Sequence, residues 1–146
     1  MIQNIFSDRV ISNVLDVGCG SAILSIASVA LGAGGAMSID IEPSVIGEAR
    51  KNIETNDYSS KIQVQNCDID HIKGSYDLVI ANILTEQILK ISKKLADRMN
   101  VNGQLILSGI RLKEKDIIID KFTELNTVFK KSLTDGDWCS LLFSKI

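Results

Sequence analysis

The sequence predicts an α/β fold: a doubly wound, seven-stranded, mostly parallel sheet that ends in an antiparallel β-hairpin. An apolar run with one acid, Val14-Leu15-Asp16-Val17, breaks at Gly18-Cys19-Gly20 and gives way to helical apolar spacing at Ile23, Leu24, Ile26, Ala27, Ala30 and Leu31. Short β-type runs then alternate with helix-period segments along the rest of the chain. The last two such runs flank Asp135-Gly136, a dipeptide that favours a hairpin turn.

The elements follow in order. Residues 1–8 form a short helix ahead of the first strand. The first helix after the glycine turn covers about 22–31 and stops at Gly32, Gly34 and Gly35. Ala36-Met37-Ser38-Ile39-Asp40-Ile41 reads as the second strand, with Glu42-Pro43 opening the next helix. That helix runs over about 44–56 with Ser44 as a candidate N-cap and Val45, Ile46, Ala49 and Ile53 on its apolar face. Residues 61–65 form a short third strand in which Ile62 and Val64 alternate. Tyr76-Asp77-Leu78-Val79-Ile80-Ala81-Asn82 is apolar on both faces and so is a central strand. A helix over 85–99 presents Ile88, Leu89, Ile91, Leu95 and Met99; Asn102-Gly103 is a turn, and 104–108 is the fifth strand. The helix over 113–125 turns Ile117, Ile118, Phe122 and Leu125 inward, and 127–133 and 138–144 form the hairpin.

The chain of 146 residues suits one domain, residues 1–146, and its 45% hydrophobic content makes it globular rather than disordered. The net charge of −2 and the presence of only four arginines give no signal for a nucleic-acid surface. Cys19, Cys67 and Cys139 are scattered and odd in number, which predicts buried thiols rather than a disulfide or zinc framework; no metal site is expected. No signal-peptide pattern or long apolar span occurs, which predicts a cytoplasmic location.

The glycine turn points to a class of ligand. A dinucleotide fingerprint needs a third glycine where this chain has Ile23, and no Gly-Lys-Ser/Thr follows to make a phosphate loop. The pattern is Asp-x-Gly-x-Gly, with Asp16 two residues before Gly18. S-adenosylmethionine has no pyrophosphate but has an ammonium, a carboxylate, a ribose diol and an adenine. Asp16 suits the ammonium side, and Gly18 and Gly20 leave room for the methionine chain. The competing reading is a tight βα turn with no ligand. Asp40 stands twenty residues beyond Gly20, at the end of the second strand, where a carboxylate can accept both ribose hydroxyls. The plainer alternative is a helix N-cap, which is the favoured reading for Glu42.

At this point the chain resembles the class I S-adenosylmethionine-dependent methyltransferases, a Rossmann-like fold. Within them it is most similar to the catalytic domain of the PrmA family, which modifies protein eleven of the large ribosomal subunit. The likeness is carried by Leu15-Asp16-Val17-Gly18-Cys19-Gly20-Ser21, Ser38-Ile39-Asp40-Ile41-Glu42-Pro43, Asp77-Leu78-Val79-Ile80-Ala81-Asn82-Ile83-Leu84, Leu107-Ser108-Gly109-Ile110 and Asp137-Trp138. It implies that Asp16, Gly18 and Gly20 line the methionine part of the cofactor and that Asp40 holds the ribose. It further implies that Asp68 accepts from the adenine amine with Ile69 beside the ring, and that Ile41 and Cys67 flank adenine. Asn82 would face the transferred methyl group, accept a hydrogen bond from a substrate amine, and so be the catalytic residue.

The implied reaction is N-methylation of a protein amine, with a ribosomal protein as partner. The alternatives are a small-molecule or RNA nitrogen as acceptor, a cofactor-binding remnant that acts as an interaction module, and a dehydrogenase-like nucleotide binder. His71 reads as a solvated loop residue, and Trp138 either borders the substrate mouth or packs. The family's N-terminal substrate-recognition domain, its linker and a glycine- and threonine-rich segment before the first strand have no counterpart in this sequence. Ala22 stands where the family commonly has glycine, and Arg111-Leu112-Lys113 stands where apolar and acidic residues are usual.

Overall fold

The computed structural model describes residues 1–146, the side chain of Asp8 excepted. Its helices and strands alternate as the sequence patterning requires. A first helix, α1 (Ile2–Asp8), precedes β1 (Asn13–Val17), α2 (Ile23–Ala30), β2 (Gly35–Asp40), α3 (Pro43–Thr55) and β3 (Ile62–Asn66). There follow β4 (Tyr76–Asn82), α4 (Thr85–Asp97), β5 (Met99–Arg111), α5 (Lys115–Thr123), β6 (Thr127–Asp135) and β7 (Trp138–Lys145). The seven strands run in the order β3-β2-β1-β4-β5-β7-β6, the predicted α/β sheet with its antiparallel C-terminal hairpin.

The chain divides into two units, residues 2–73 and 74–146. In the first, β1 pairs with β2 and β2 with β3, all parallel. Val14, Leu15, Ile39, Ala49, Ile53 and Ile62 are buried there; β2 is the middle strand of this three-strand group, and in β1 the neighbours Val14 and Leu15, on opposite faces, are both fully buried. In the second, β4 and β5 are parallel, and β7 runs antiparallel to both β5 and β6. Its core centres on Leu78, Ile80, Leu105, Leu107 and Leu141, with Phe122 and Phe143 tilted against one another at 5.3 Å between ring centroids. The hairpin loop has two residues, Gly136 and Asp137, with Asp135 opposite Trp138 and Gly136 at φ 55°. β6 is the outermost strand on this side, and its pairing with β7 shifts register between Phe129 and Lys131.

Several expectations are corrected. Asn102-Gly103 is not a loop: β5 begins at Met99, opposite Tyr76, and absorbs Asn102 at φ 61° as an irregularity within the strand. Met99 accordingly belongs to β5 rather than to α4. Ser44 is not the cap of α3; Glu42 is, accepting from the Ser44 N–H at 3.1 Å with Pro43 in the first turn. The segment from Leu112 to Glu114 is a 3-10 turn, and α5 starts only after it. Within α5, Ile118 and Phe122, four residues apart, take the buried face, and Ile117 stands outward at 55% exposure. Cys19 and Cys139 are buried as expected, whereas Cys67 is partly exposed. No helix among the described residues is long and apolar enough to cross a membrane.

Candidate functional site

β1 ends at Val17 with its flanking side chains fixed in the core, and the chain must then turn sharply into α2. Gly18 at φ 71° and Gly20 at φ 51° supply left-handed backbone at no steric cost. The turn is pinned from two sides. The N–H groups of Gly18 and Cys19 both donate to the Ile39 carbonyl of β2, at 2.9 and 3.0 Å, and Asn52 of α3 donates through Nδ2 to the Ser21 carbonyl at 3.0 Å. A Cβ placed on Gly20 would meet nothing within 4 Å, so the loop faces open space there. Ala22 is forced into the left-handed region at φ 63° although it carries a Cβ, and it is fully buried.

Asp40, at the end of β2, is tied to this loop. Its Oδ2 accepts from the Gly20 N–H at 2.9 Å and its Oδ1 from the Glu42 N–H at 2.9 Å. Each carboxylate oxygen has a further acceptor position. The side chain is therefore held in one orientation by main chain on both sides and can still receive two more donors. Ile41 follows it at 70% exposure, a large apolar side chain left bare beside a fixed carboxylate.

Asp16 is placed differently. It is 1% exposed, and its Oδ2 accepts from the Ser25 hydroxyl at 2.7 Å. The Ser25 oxygen lies 2.6 Å from the Ser38 hydroxyl. Since Ser25 gives its one hydroxyl hydrogen to Asp16, Ser38 is the donor to Ser25. The backbone N–H of Ser25 also bonds to Asp16. Ala22, the residue before α2, makes no side-chain cap. Asp16 thus reaches from β1 to do the capping of α2. Burial, the largest cause, raises its pKa from 3.8 to about 6; the Ser25 bonds oppose that rise and the nearby Asp40 carboxylate adds to it. Burial also pushes the Cys19 thiol up to about 12, so this thiol in the loop stays protonated and unreactive.

Asp68, after β3, is exposed and caps the 3-10 turn Ile69–His71, its Oδ1 accepting from the Asp70 N–H at 2.6 Å. Ile69 is 3% exposed, so its side chain anchors that turn in the core. His71 is exposed, as the sequence reading favoured. In the unit 74–146, Asn82 ends β4, paired with Ser108 of β5, and is exposed. Leu84 is exposed at the start of α4, where Gln87 Oε1 accepts from the Leu84 N–H at 3.3 Å. Trp138 is 48% exposed with the Arg111 guanidinium 5.8 Å above its ring, and the two residues are cross-strand partners. Among the described residues no cluster of metal-ligating side chains occurs.

The structure thus brings Gly18, Gly20, Asp40 and Ile41 to one turn of chain, with Asp16 supporting it from within. Sequence reading missed Ser25, Ser38 and Asn52, because nothing in their local sequence signals a partner nine to thirty-one residues away.

Comparison with known proteins gives a consistent result. The family model described as ribosomal protein L11 methyltransferase (PrmA) matches residues 2–146. A ribosomal protein L11 methyltransferase of Pelobacter propionicus is 31% identical over 132 residues, which is 90% of this chain and 43% of that protein. The one from Geotalea uraniireducens is 35% identical over 130 residues, 89% of this chain and 41% of that protein. The chain therefore spans about two-fifths of the length of these curated relatives. The crystal structure of a ribosomal protein L11 methylase from Lactobacillus delbrueckii subsp. bulgaricus superposes with a TM-score of 0.90 at 29% identity, covering 99% of this chain and 77% of that one. Magnesium protoporphyrin IX methyltransferase from Synechocystis, solved with bound S-adenosylmethionine, shares the fold at a TM-score of 0.78 and 21% identity, over 99% of this chain and 78% of that one.

Proposed function

Because the chain belongs to the ribosomal protein L11 methyltransferase family, we propose that it transfers a methyl group from S-adenosylmethionine to an amine nitrogen of a ribosomal protein of the large subunit. The observation that carries the proposal is the link between Gly20 and Asp40. It joins a glycine turn that faces open space to a carboxylate whose two oxygens each keep one acceptor position for a ribose hydroxyl. The exposed Ile41 offers adenine an apolar wall, and the capped turn at Asp68 presents its other carboxylate oxygen to the adenine amine. The residues present fit the cofactor.

The cofactor supplies an activated methyl carbon, so the protein needs only to hold and align the reactants. Gly18 and Gly20 keep the loop free of side chains along the methionine portion. Asp16 does not reach the surface; it fixes the loop and the start of α2 from below, and acts on the ammonium through that placement. The carboxamide oxygen of Asn82 accepts an N–H of the incoming amine and so sets the direction of the nitrogen lone pair. Ile83 and Leu84 form an apolar lip that disfavours an ammonium and admits the neutral amine. Water takes the proton before the amine is seated. The substrate places the reaction where ribosomes are, in the cytoplasm.

The test is methyl transfer from tritiated S-adenosylmethionine to isolated large ribosomal subunits, with the labelled protein then identified. Label in one ribosomal protein, abolished by excess S-adenosylhomocysteine, is the expected result. Heat on mixing with S-adenosylmethionine but no label anywhere would reduce the chain to a cofactor-binding module. Asn82→Ala is expected to lower kcat by at least about a hundredfold while leaving cofactor affinity within about threefold.

A further inference from the structure

The β4–β5 ladder ends with Asn82 opposite Ser108. The next residue of β5 is Gly109, at φ 78°, and the β5–β7 pairing breaks register between Leu107 and Ile110. Such a break re-aims a strand locally, and at this break the Gly109 main chain lies close to the turn that follows β4. A Cβ on Gly109 would stand 2.7 Å from the Ile83 carbonyl oxygen, 3.2 Å from its carbon and 3.1 Å from Asn82 Oδ1. Two of these atoms are backbone and cannot step aside as a flexible side-chain tip would. Glycine is required twice over at this position, for its dihedral angle and for its lack of volume.

Asn82 is exposed at a strand end, a setting in which a carboxamide ordinarily samples several rotamers. Here its oxygen occupies the space beside Gly109 that a Cβ at that position would crowd. We propose that Gly109 is a positioning residue for methyl transfer: its bare Cα is the floor that sets the depth and orientation of the Asn82 carboxamide. This rests on the reading of Asn82 as the residue that faces the transferred methyl group. A side chain at 109 lifts the carboxamide and moves the Ile83 carbonyl, and displacements of this size are costly for an in-line transfer.

The experiment compares the full chain with Gly109→Ala. The expected outcome is a kcat lowered at least about tenfold, with the KM for the ribosomal protein and the calorimetric dissociation constant for S-adenosylmethionine each within about threefold. Equal losses in kcat and in cofactor affinity would mean a general structural role and overturn the proposal, as would an unchanged kcat. A measurement on the unaltered protein keeps the question decidable if the variant does not fold. The side-chain NH2 of Asn82, assigned by its disappearance in Asn82→Ala, is expected to show an order parameter near that of rigid backbone, about 0.85. A value below about 0.6 would overturn the proposed floor. If the unaltered protein transfers no methyl group, the proposed function fails, and the order parameter still decides whether Gly109 holds Asn82.

Discussion

Both halves of the molecule bury an apolar core, but the first adds a buried hydrogen-bonded chain of polar side chains beneath its glycine turn. Residues 2–73 carry nine acids against five bases; residues 74–146 carry nine acids against eleven. The first half buries a polar chain, Ser38 to Ser25 to Asp16, directly beneath its glycine turn. The second half is held by apolar bulk, with Phe122, Phe143, Leu105, Leu107 and Ile110 all fully buried. On the proposed function, the contrast would separate two tasks. Seating a charged nucleoside requires fixed donors and acceptors, and a hydrogen-bonded interior holds them in place. Shaping a lip for an uncharged amine requires packing and a closely approached main chain.

That contrast can be broken most directly at Phe143. Phe143→Ala is expected to destabilise the protein by about 3–5 kcal/mol through loss of burial and an unfilled cavity. A loss near 1 kcal/mol by denaturant titration would show that the second half does not depend on its apolar centre. Next in size is Asp40→Ala, which removes the two proposed ribose acceptors and the anchor of the Gly20 N–H. Cofactor affinity should fall about a hundredfold by calorimetry. Affinity left intact would remove the ribose assignment.

Asp16 sharpens the comparison through pH. Its folded-state pKa, about 6, lies above the ordinary 3.8 because of burial. The native state therefore binds this proton more tightly than the unfolded chain does, and the contribution of Asp16 to stability is lost as pH rises through about 6. Relative to Asp16→Asn, the wild-type protein should gain about 1 kcal/mol in unfolding free energy on going from pH 7 to pH 5. A stability difference that is flat with pH would mean that Asp16 is not desolvated. Smallest is Ala22→Gly. Relief of the left-handed strain and the loss of a buried methyl oppose one another, so the change in melting free energy should stay within about 1 kcal/mol.

The legibility of these halves in the sequence differed for physical reasons. β4 is legible to the residue, because a seven-residue run apolar on both faces is too short for a buried helix. The glycine turn and Asp40 were visible because backbone conformation and spacing leave a local record. Glu42 was legible as a cap because Pro43 follows it. The Ser25–Asp16 bond was not, since it depends on how α2 lies against β1. β5 was read too short because Asn102-Gly103 has the composition of a turn, while pairing of Met99 with Tyr76 overrides that local preference. The Leu107-Ser108-Gly109-Ile110 run carries the family likeness, but its local sequence does not show that a Cβ at Gly109 would crowd Asn82 Oδ1 and the Ile83 carbonyl.

The hairpin flank has its own consequence. β6 offers an unpaired ladder to any passing chain, yet it places Lys130 and Lys131 at its midpoint, next to a break in register. Adjacent positive charges and a bent backbone make a poor template for another strand. Copies of this protein should therefore resist end-on stacking into fibres at high concentration, and chemical removal of those two ammonium groups should bring such stacking on.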